Sequence, residues 1–263
     1  MDMDLNVIAE QARIYLLVFV RITSLVIAAP VFGSAVLGVP VQAIVGLGAG
    51  FTLVVMMNLG GSVPMPPVGW QYGLMLAGEV FIGISLGFLA SLVLAGIQFG
   101  GEVIDHLIGF AVVDVIDPVT NESASLIGNL KGLMATLLFL VFNGHHLLFQ
   151  GLMRTFEAVP PGGAGLPTEV WPLMESYAEM MFVVGIQVAA PCLIVMTLLY
   201  VPEGFLARMV PQLNLMINDV PMRIGVGLFV VWLGIGPFVH LSEELINHIA
   251  MAADSLTLAI LAS

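Results

Sequence analysis

Charge is what this sequence has least of. Of 263 residues only 9% are charged, against about 25% in a soluble domain, while 59% are hydrophobic and mean hydropathy is +1.08. Basic residues are scarcer still, six Lys and Arg against eighteen Asp and Glu, for a net charge of −12. That balance argues against nucleic acid as a partner and against a polybasic lipid-binding segment. A single cysteine, Cys192, rules out an intramolecular disulfide and a cysteine-based metal site. A nucleotide-binding loop is missing too, so any ATP- or proton-driven step is assigned to other chains. The opening MDMDLNVIAEQAR is acidic where a cleavable signal peptide is basic, so none is expected.

What is present is a series of apolar runs of helical length. The alternating pattern of an outer-membrane barrel is missing, so the class expected is an all-α integral membrane protein. The first run, Ile14 to Ala29, is slightly short, carries Arg21 and stops at Pro30. The second, Val41 to Leu59, holds Gly46, Gly48 and Gly50. A third, Trp70 to Phe99, has Glu79 inside it and is long enough to project beyond the hydrocarbon. The fourth is Leu126 to Phe142, with Lys131 near its start. The fifth, Tyr177 to Val201, is expected to break at Pro191 and end at Pro202. A sixth is Ile224 to Val239, and a last helix is expected over Leu245 to Leu261. Pro160 to Pro167 reads as a flexible connector, and Glu203 to Arg223 as a polar interruption with two of the six basic residues. The positive-inside rule puts that interruption in the cytoplasm. Alternating the spans places the acidic stretch described next on the same side, and Arg13 on the other.

That stretch is Gln98 to Glu122, QFGGEVIDHLIGFAVVDVIDPVTNE. Glu102, Asp105, Asp114, Asp117 and Glu122 fall inside it, and no Lys or Arg occurs from Ile22 to Leu130. Unpartnered charges are costly in a bilayer, so the cluster is expected to meet water, a pore lumen or another chain. A solvated loop, a loop lining or blocking an aqueous path, and a docking surface all fit. Gln98, Glu102 and Asp105 share a face if the helix continues that far. Gly109 is a natural end for it, and Asp117-Pro118 marks a turn.

Other patterns read as packing. Gly83-Ile84-Ser85-Leu86-Gly87 matches a nucleophile elbow, but lies mid-run in an apolar helix, where small residues four apart serve close helix contact. His145-His146 lacks metal-ligand spacing and reads as a helix-end pair. Gly46, Gly48 and Gly50 lack the strand of a dinucleotide fingerprint. The sixteen methionines serve as core filler or as a surface that repacks. Arg21 and Glu79 either pair with each other or snorkel separately to an interface.

Taken in order, several segments resemble the FliR family, export-gate subunits of flagellar type III secretion systems. Arg21-Ile22 followed by Ala29-Pro30-Val31-Phe32-Gly33-Ser34 is similar to its N-terminal signature. Glu79-Val80-Phe81-Ile82-Gly83 with Leu86-Gly87-Phe88 is similar to its third-run motif. Gly101-Glu102-Val103-Ile104-Asp105, Gly109-Phe110-Ala111 and Asp117-Pro118 resemble the central motif. Phe142 to His146 resembles the flagellar "N-G-H-H", and Pro211-Gln212-Leu213-Asn214 with Pro221 and Arg223 resembles a late "P-Q-x-N…P-x-K". Departures stand beside these. Val41-Gln42-Ala43 replaces basic residues, Asn218-Asp219 replaces a small apolar pair, and Arg223 replaces Lys.

The resemblance implies a non-enzymatic subunit without cofactor or metal. It implies helical hairpins, with residues 1–170 FliP-like and 171–263 FliQ-like. FliP and FliQ are the implied partners in a ring-like gate, with FlhB and FlhA, exported flagellar subunits and membrane lipid as further contacts. The implied location is the bacterial inner membrane at the flagellar basal body. The central loop is implied to plug the closed pore: Gly109 lets it fold back, Phe110, Ala111, Val112 and Val113 form an apolar stopper, Asp114 and Asp117 face the wet side, and Pro118 completes the gating segment at its turn. Arg21, Glu79, Glu102, Asp105, Lys131, Arg208, Gln212, Asn214 and Arg223 are the candidate intramembrane charges and subunit contacts. The alternative class is a secondary transporter using Glu79, Glu102 and Asp105 as proton or cation sites. An intramembrane hydrolase using Ser85 or an aspartate pair is a third class.

Overall fold

The computed structural model of the chain describes residues 2–29, 46, 48–53, 55, 69–110, 125–163, 170–209 and 215–261. Among them are seven long helices and no strand: α1 (Asp2–Ala28), α2 (Trp70–Ile108), α3 (Leu126–Val141), α4 (Gly144–Ala158), α5 (Val170–Met209), α6 (Leu215–Leu233) and α7 (Ile235–Leu261). Four are long and apolar enough to cross a membrane: Gln11–Ala28, Trp70–Ile108, Val170–Phe205 and Ile235–Leu261; α3 and α4 together make a fifth if they form one broken span. The all-α membrane class is therefore what the chain adopts. At 39 and 40 residues, α2 and α5 are each about 60 Å long, twice a hydrocarbon core of about 30 Å.

Several boundaries differ from the sequence expectation, each for a physical reason. The first helix is not short, because it continues back to Asp2 through residues too polar to register as part of the apolar run. Pro191 and Pro202 neither break nor end α5, which carries both inside it. Each proline removes one backbone donor, but abandoning the helix in an apolar environment would strand many more. The polar interruption shrinks accordingly: α5 runs on to Met209 and α6 starts at Leu215, with Pro221 inside it. The sixth run is divided at Gly234, and α7 begins ten residues before the expected Leu245. There the helical ladder passes through Gly234, whose N–H donates to Val230 O while its own carbonyl accepts from Phe238. Pro237 sits in the first turn of α7, where its missing N–H costs nothing.

Packing divides the chain into two units that cut across sequence order. One comprises Met1–Leu92, Asn143–Ala178 and Ile246–Ser263; the other comprises Val93–Phe142 and Glu179–Leu245. In the first unit α1 crosses α2 at glycine. A methyl placed on Gly87 would lie 2.9 Å from Leu25 O, and one on Gly83 would collide with Ser24 and Arg21 O. Ser85, between them, is buried and donates back to Phe81 O at 2.7 Å. The GISLG pentad is thus a helix-crossing surface.

In the second unit α2 meets α5 and α3 the same way. A methyl on Gly100 would lie 2.6 Å from Gly185 O, and one on Gly101 would lie 2.6 Å from Gly128 Cα. Such close backbone approach is the usual basis of helix association where lipid removes the hydrophobic drive. Ile104, Ile108, Ile127, Ala189, Cys192, Met196 and Val230 form the buried cluster of this unit. The outer stripe of α5, Phe182, Ile186, Ile194, Leu198, Val201 and Phe205, stays exposed.

Candidate functional site

Two charged constellations are built into the two units. In the first, Arg21 and Glu79 form an ion pair with both side chains at 0% exposure. Arg21 also donates through Nη1 to Thr155 O and Val159 O, each at 3.2 Å. Those are carbonyls at the C-terminal end of α4, the negative end of the helix, where a guanidinium is favoured. The Phe156 ring lies 4.2 Å from the guanidinium carbon. The second Glu79 oxygen accepts from the Gly162 N–H at 2.8 Å, in the turn after α4. Of the two readings open for these charges, the pair is the one found. It joins α1, α2 and the end of α4, and neither group reaches an interface.

The second constellation stands at the root of the acidic stretch, and Asp105 is its centre. Its backbone carbonyl accepts from Gly109 N–H at 3.0 Å and Phe110 N–H at 3.1 Å, with Gly109 at φ +94°. A left-handed glycine with this bonding is a helix C-terminal cap, and α2 ends there as the sequence suggests. The Asp105 side chain, 3% exposed, performs the opposite task. It accepts from Ser125 Oγ, from Ile127 N–H at 3.0 Å and from Gly128 N–H at 3.3 Å. Ser125 is the N-cap of α3 and accepts from Gly128 N–H at 2.9 Å. One residue thus ends α2 and starts α3, so the chain leaves at Gly109 and returns at Ser125 to the same point.

The expectation that the acidic cluster must meet water, a lumen or another chain does not hold for Asp105; Asp114, Asp117 and Glu122 lie outside the described residues. For Asp105 the partner is the positive end of a helix in its own chain, which substitutes for a cation. Glu102 is half-buried and accepts from Gln98 at 3.3 Å, while Asp105 on the same helix is turned inward. The shared face expected for Gln98, Glu102 and Asp105 therefore divides between an outer pair and a buried cap. Phe110 is half-buried and packs on the buried cluster of its unit. Ala111, Val112, Val113, Asp114, Asp117 and Pro118 lie outside the described residues, as do Gln212 and Asn214.

A second charged clasp ties α5 to α6. Arg223 on α6 donates to Glu203 on α5 through Nε at 3.1 Å and Nη2 at 2.6 Å, and pairs with Asp219 one turn back. Its guanidinium also lies 4.5 Å over the Tyr200 ring, whose hydroxyl donates to Leu107 O. Leu107 is two residues past Asp105, so the two clasps are joined through Tyr200. Asp219 and Arg223, both departures from the family pattern, answer each other. An arginine fork holds two carboxylates where a lysine would present a single point charge. Arg208 is exposed. Lys131 is buried with its ammonium 4.2 Å from the Phe238 ring centre.

Sequence reasoning missed Ser125, Tyr200, Glu203 and the carbonyls of Thr155 and Val159. Ser125 carried a signal, since a serine directly before an apolar run is an N-cap pattern. The carbonyls carried none.

The family model for bacterial export proteins, family 1, matches residues 12–249. The flagellar biosynthetic protein FliR of Bacillus subtilis is 31% identical over 231 residues, covering 86% of this chain and 88% of its own. The protein of that name from Escherichia coli K12 is 28% identical, covering 97% and 99%. The secretion system apparatus protein SsaT of Salmonella typhimurium is 24% identical over 64% of this chain and 70% of its own.

Proposed function

This chain belongs to the bacterial export proteins, family 1, and from that premise we propose that it is a non-enzymatic core subunit of a flagellar type III export gate. In this reading it assembles with FliP and FliQ in the inner membrane at the flagellar basal body, next to FlhB and FlhA. Unfolded flagellar subunits pass through the pore so formed. Residues 1–170 play the FliP-like part and 171–263 the FliQ-like part. The exposed apolar stripe of α5 suits burial against neighbouring helices or lipid.

The segment after Gly109 is the plug. The observation that carries this is the double role of Asp105, which fixes both roots of the segment at one point. A stopper needs rigid roots and a free middle. Gly109 turns the chain, Phe110 seats its first residue, Ala111 to Val113 supply an apolar seal, Asp114 and Asp117 face the aqueous side, and Pro118 belongs to the turn that follows. Arg223, with Glu203 and Asp219, stiffens the adjacent base.

Two experiments test the reading. Co-expression with neighbouring FliP- and FliQ-like chains should give a detergent-stable complex far larger than 27.9 kDa that contains both partners. A monomer or homodimer that ignores them defeats the assembly proposal. Deleting 111–120 from the assembled complex should make resting cells leak small solutes while export continues, and a tight membrane after deletion defeats the plug.

A further inference from the structure

Lys131 is the one lysine in the chain, and its environment is unusual for an ammonium. It is 5% exposed. The acids Glu79, Asp254, Glu203 and Asp219 pair with arginines, and no carboxylate among the described residues is paired with Lys131. The Phe238 ring beneath it, 4.2 Å away, offsets only part of the lost hydration. An isolated buried charge is among the most expensive features a fold can retain.

Beside this ammonium lies a cavity of about 490 Å³ within the Val93–Phe142 and Glu179–Leu245 unit. That volume is in the range of small-molecule sites. Its wall is apolar except at Lys131 and Gln187, with Pro191, Cys192 and Leu233 among the lining residues. Gln187, Pro191 and Leu233 are exposed, so the cavity opens to the outer surface. Ile186, Ile194 and Trp232, at 57, 63 and 64% exposure, add apolar surface on the helices that carry these lining residues. A single cation in the wall of an apolar chamber that opens to the surface has the chemistry of a site for an amphipathic anion. A neighbouring chain's carboxylate side chain could neutralise the lysine, but would leave most of the chamber empty.

We infer that this cavity binds an acyl-chain anion, with its carboxylate or phosphate head at Lys131 and its hydrocarbon tail along the wall formed by α5 and the α6–α7 junction. The head supplies the missing counter-charge, and the tail fills apolar volume that water would occupy poorly. A free fatty acid and an anionic phospholipid share this chemistry.

The test is native mass spectrometry of the full chain in its detergent-solubilised complex, delipidated and titrated separately with oleate, dioleoylphosphatidylglycerol and dioleoylphosphatidylcholine. One oleate or phosphatidylglycerol per copy of this chain is expected, with phosphatidylcholine at least tenfold weaker. Lys131→Met should weaken the anionic adduct at least tenfold. Val195→Phe, which fills the cavity and leaves the lysine in place, should weaken it equally, and decides the test where Lys131→Met disturbs assembly. Oleate alone assigns a fatty-acid site, and phosphatidylglycerol alone assigns a phospholipid site. No adduct, or one undiminished in both variants, overturns the inference. So does a carbodiimide cross-link from Lys131 to a carboxylate of a neighbouring chain, because a protein side chain then holds the place.

Discussion

Replacing Asp105 by alanine should unfasten the start of α3 without unfolding the protein. The side chain is buried and accepts from Ser125 Oγ, Ile127 N–H and Gly128 N–H. Two of these donors have another outlet. Gly128 N–H retains Ser125 Oγ at 2.9 Å, and a serine hydroxyl can rotate. Ile127 N–H has none, because it is an unpaired donor of the first helical turn. A hydrogen bond to a charged group is worth about 1.5–3 kcal/mol, and a stranded buried donor costs about 1–3 kcal/mol. Discounting the two rescued donors, the local loss is about 3 kcal/mol.

Each 1.4 kcal/mol is a factor of about ten in an equilibrium, so local opening at Ile127 and Gly128 should rise about a hundredfold. Hydrogen exchange of the detergent-solubilised complex reads this directly, as faster exchange of those amides. Exchange in α1 and α4 should not change. Asp105→Asn keeps one acceptor oxygen but loses the charge, and should fall between wild type and alanine, with a rise of about tenfold. Exchange at Ile127 equal to wild type in Asp105→Ala would refute the clasp. An equal rise across every helix would instead make Asp105 a global core residue.

Arg21→Met and Glu79→Leu should each destabilise by about 3–5 kcal/mol because each strands a buried charge, while the double variant should recover much of the loss; thermal unfolding in detergent gives the cycle. Gly101→Ala should cost about 1–3 kcal/mol, since its methyl would sit 2.6 Å from Gly128 Cα with backbone on both sides. Gly73→Ala, which meets nothing within 4 Å, should be neutral or stabilising by up to about 1 kcal/mol in the same assay. Arg223→Lys should weaken the second clasp, because one ammonium cannot reproduce the two bonds to Glu203 and the pair with Asp219; limited proteolysis near residues 210–214 should accelerate. Restoring the family's small apolar residue with Asp219→Ala on that lysine background should add little further loss.

Helix existence was readable because a long apolar run admits few other structures in a membrane. Helix ends were readable only where local chemistry sets them. Gly109 and Asn143 both adopt positive φ and both mark breaks seen in the sequence. Pro191 and Pro202 misled because the penalty of a proline depends on what replaces the helix, which a local rule does not know. Sequence could offer the Arg21–Glu79 pair as one option because both charges sit in apolar runs with little else to bond. The α4 carbonyls that complete it were invisible, since a backbone acceptor has no letter. Asp105 was visible as an unpartnered acid, yet its partner is a helix terminus, which is a property of folding and not of any residue type.

These partners also bear on the transporter alternative. A carrier site for protons or cations must exchange its partner and meet water during each cycle. Glu79 is fully buried, with one oxygen on Arg21 and the other on the Gly162 N–H. Asp105 spends its oxygens on Ser125 and two backbone amides. Releasing either would open a helix end or strand a guanidinium, at a cost of several kcal/mol per cycle. Glu102 is the remaining acid of that proposal, half-buried beside Gln98, and a single carboxylate there offers no second group for ion coupling. Glu79 and Asp105 are spent on holding helix ends within their own units, at the end of α4 and the start of α3. Carboxylates committed in this way suit a small-ion carrier poorly.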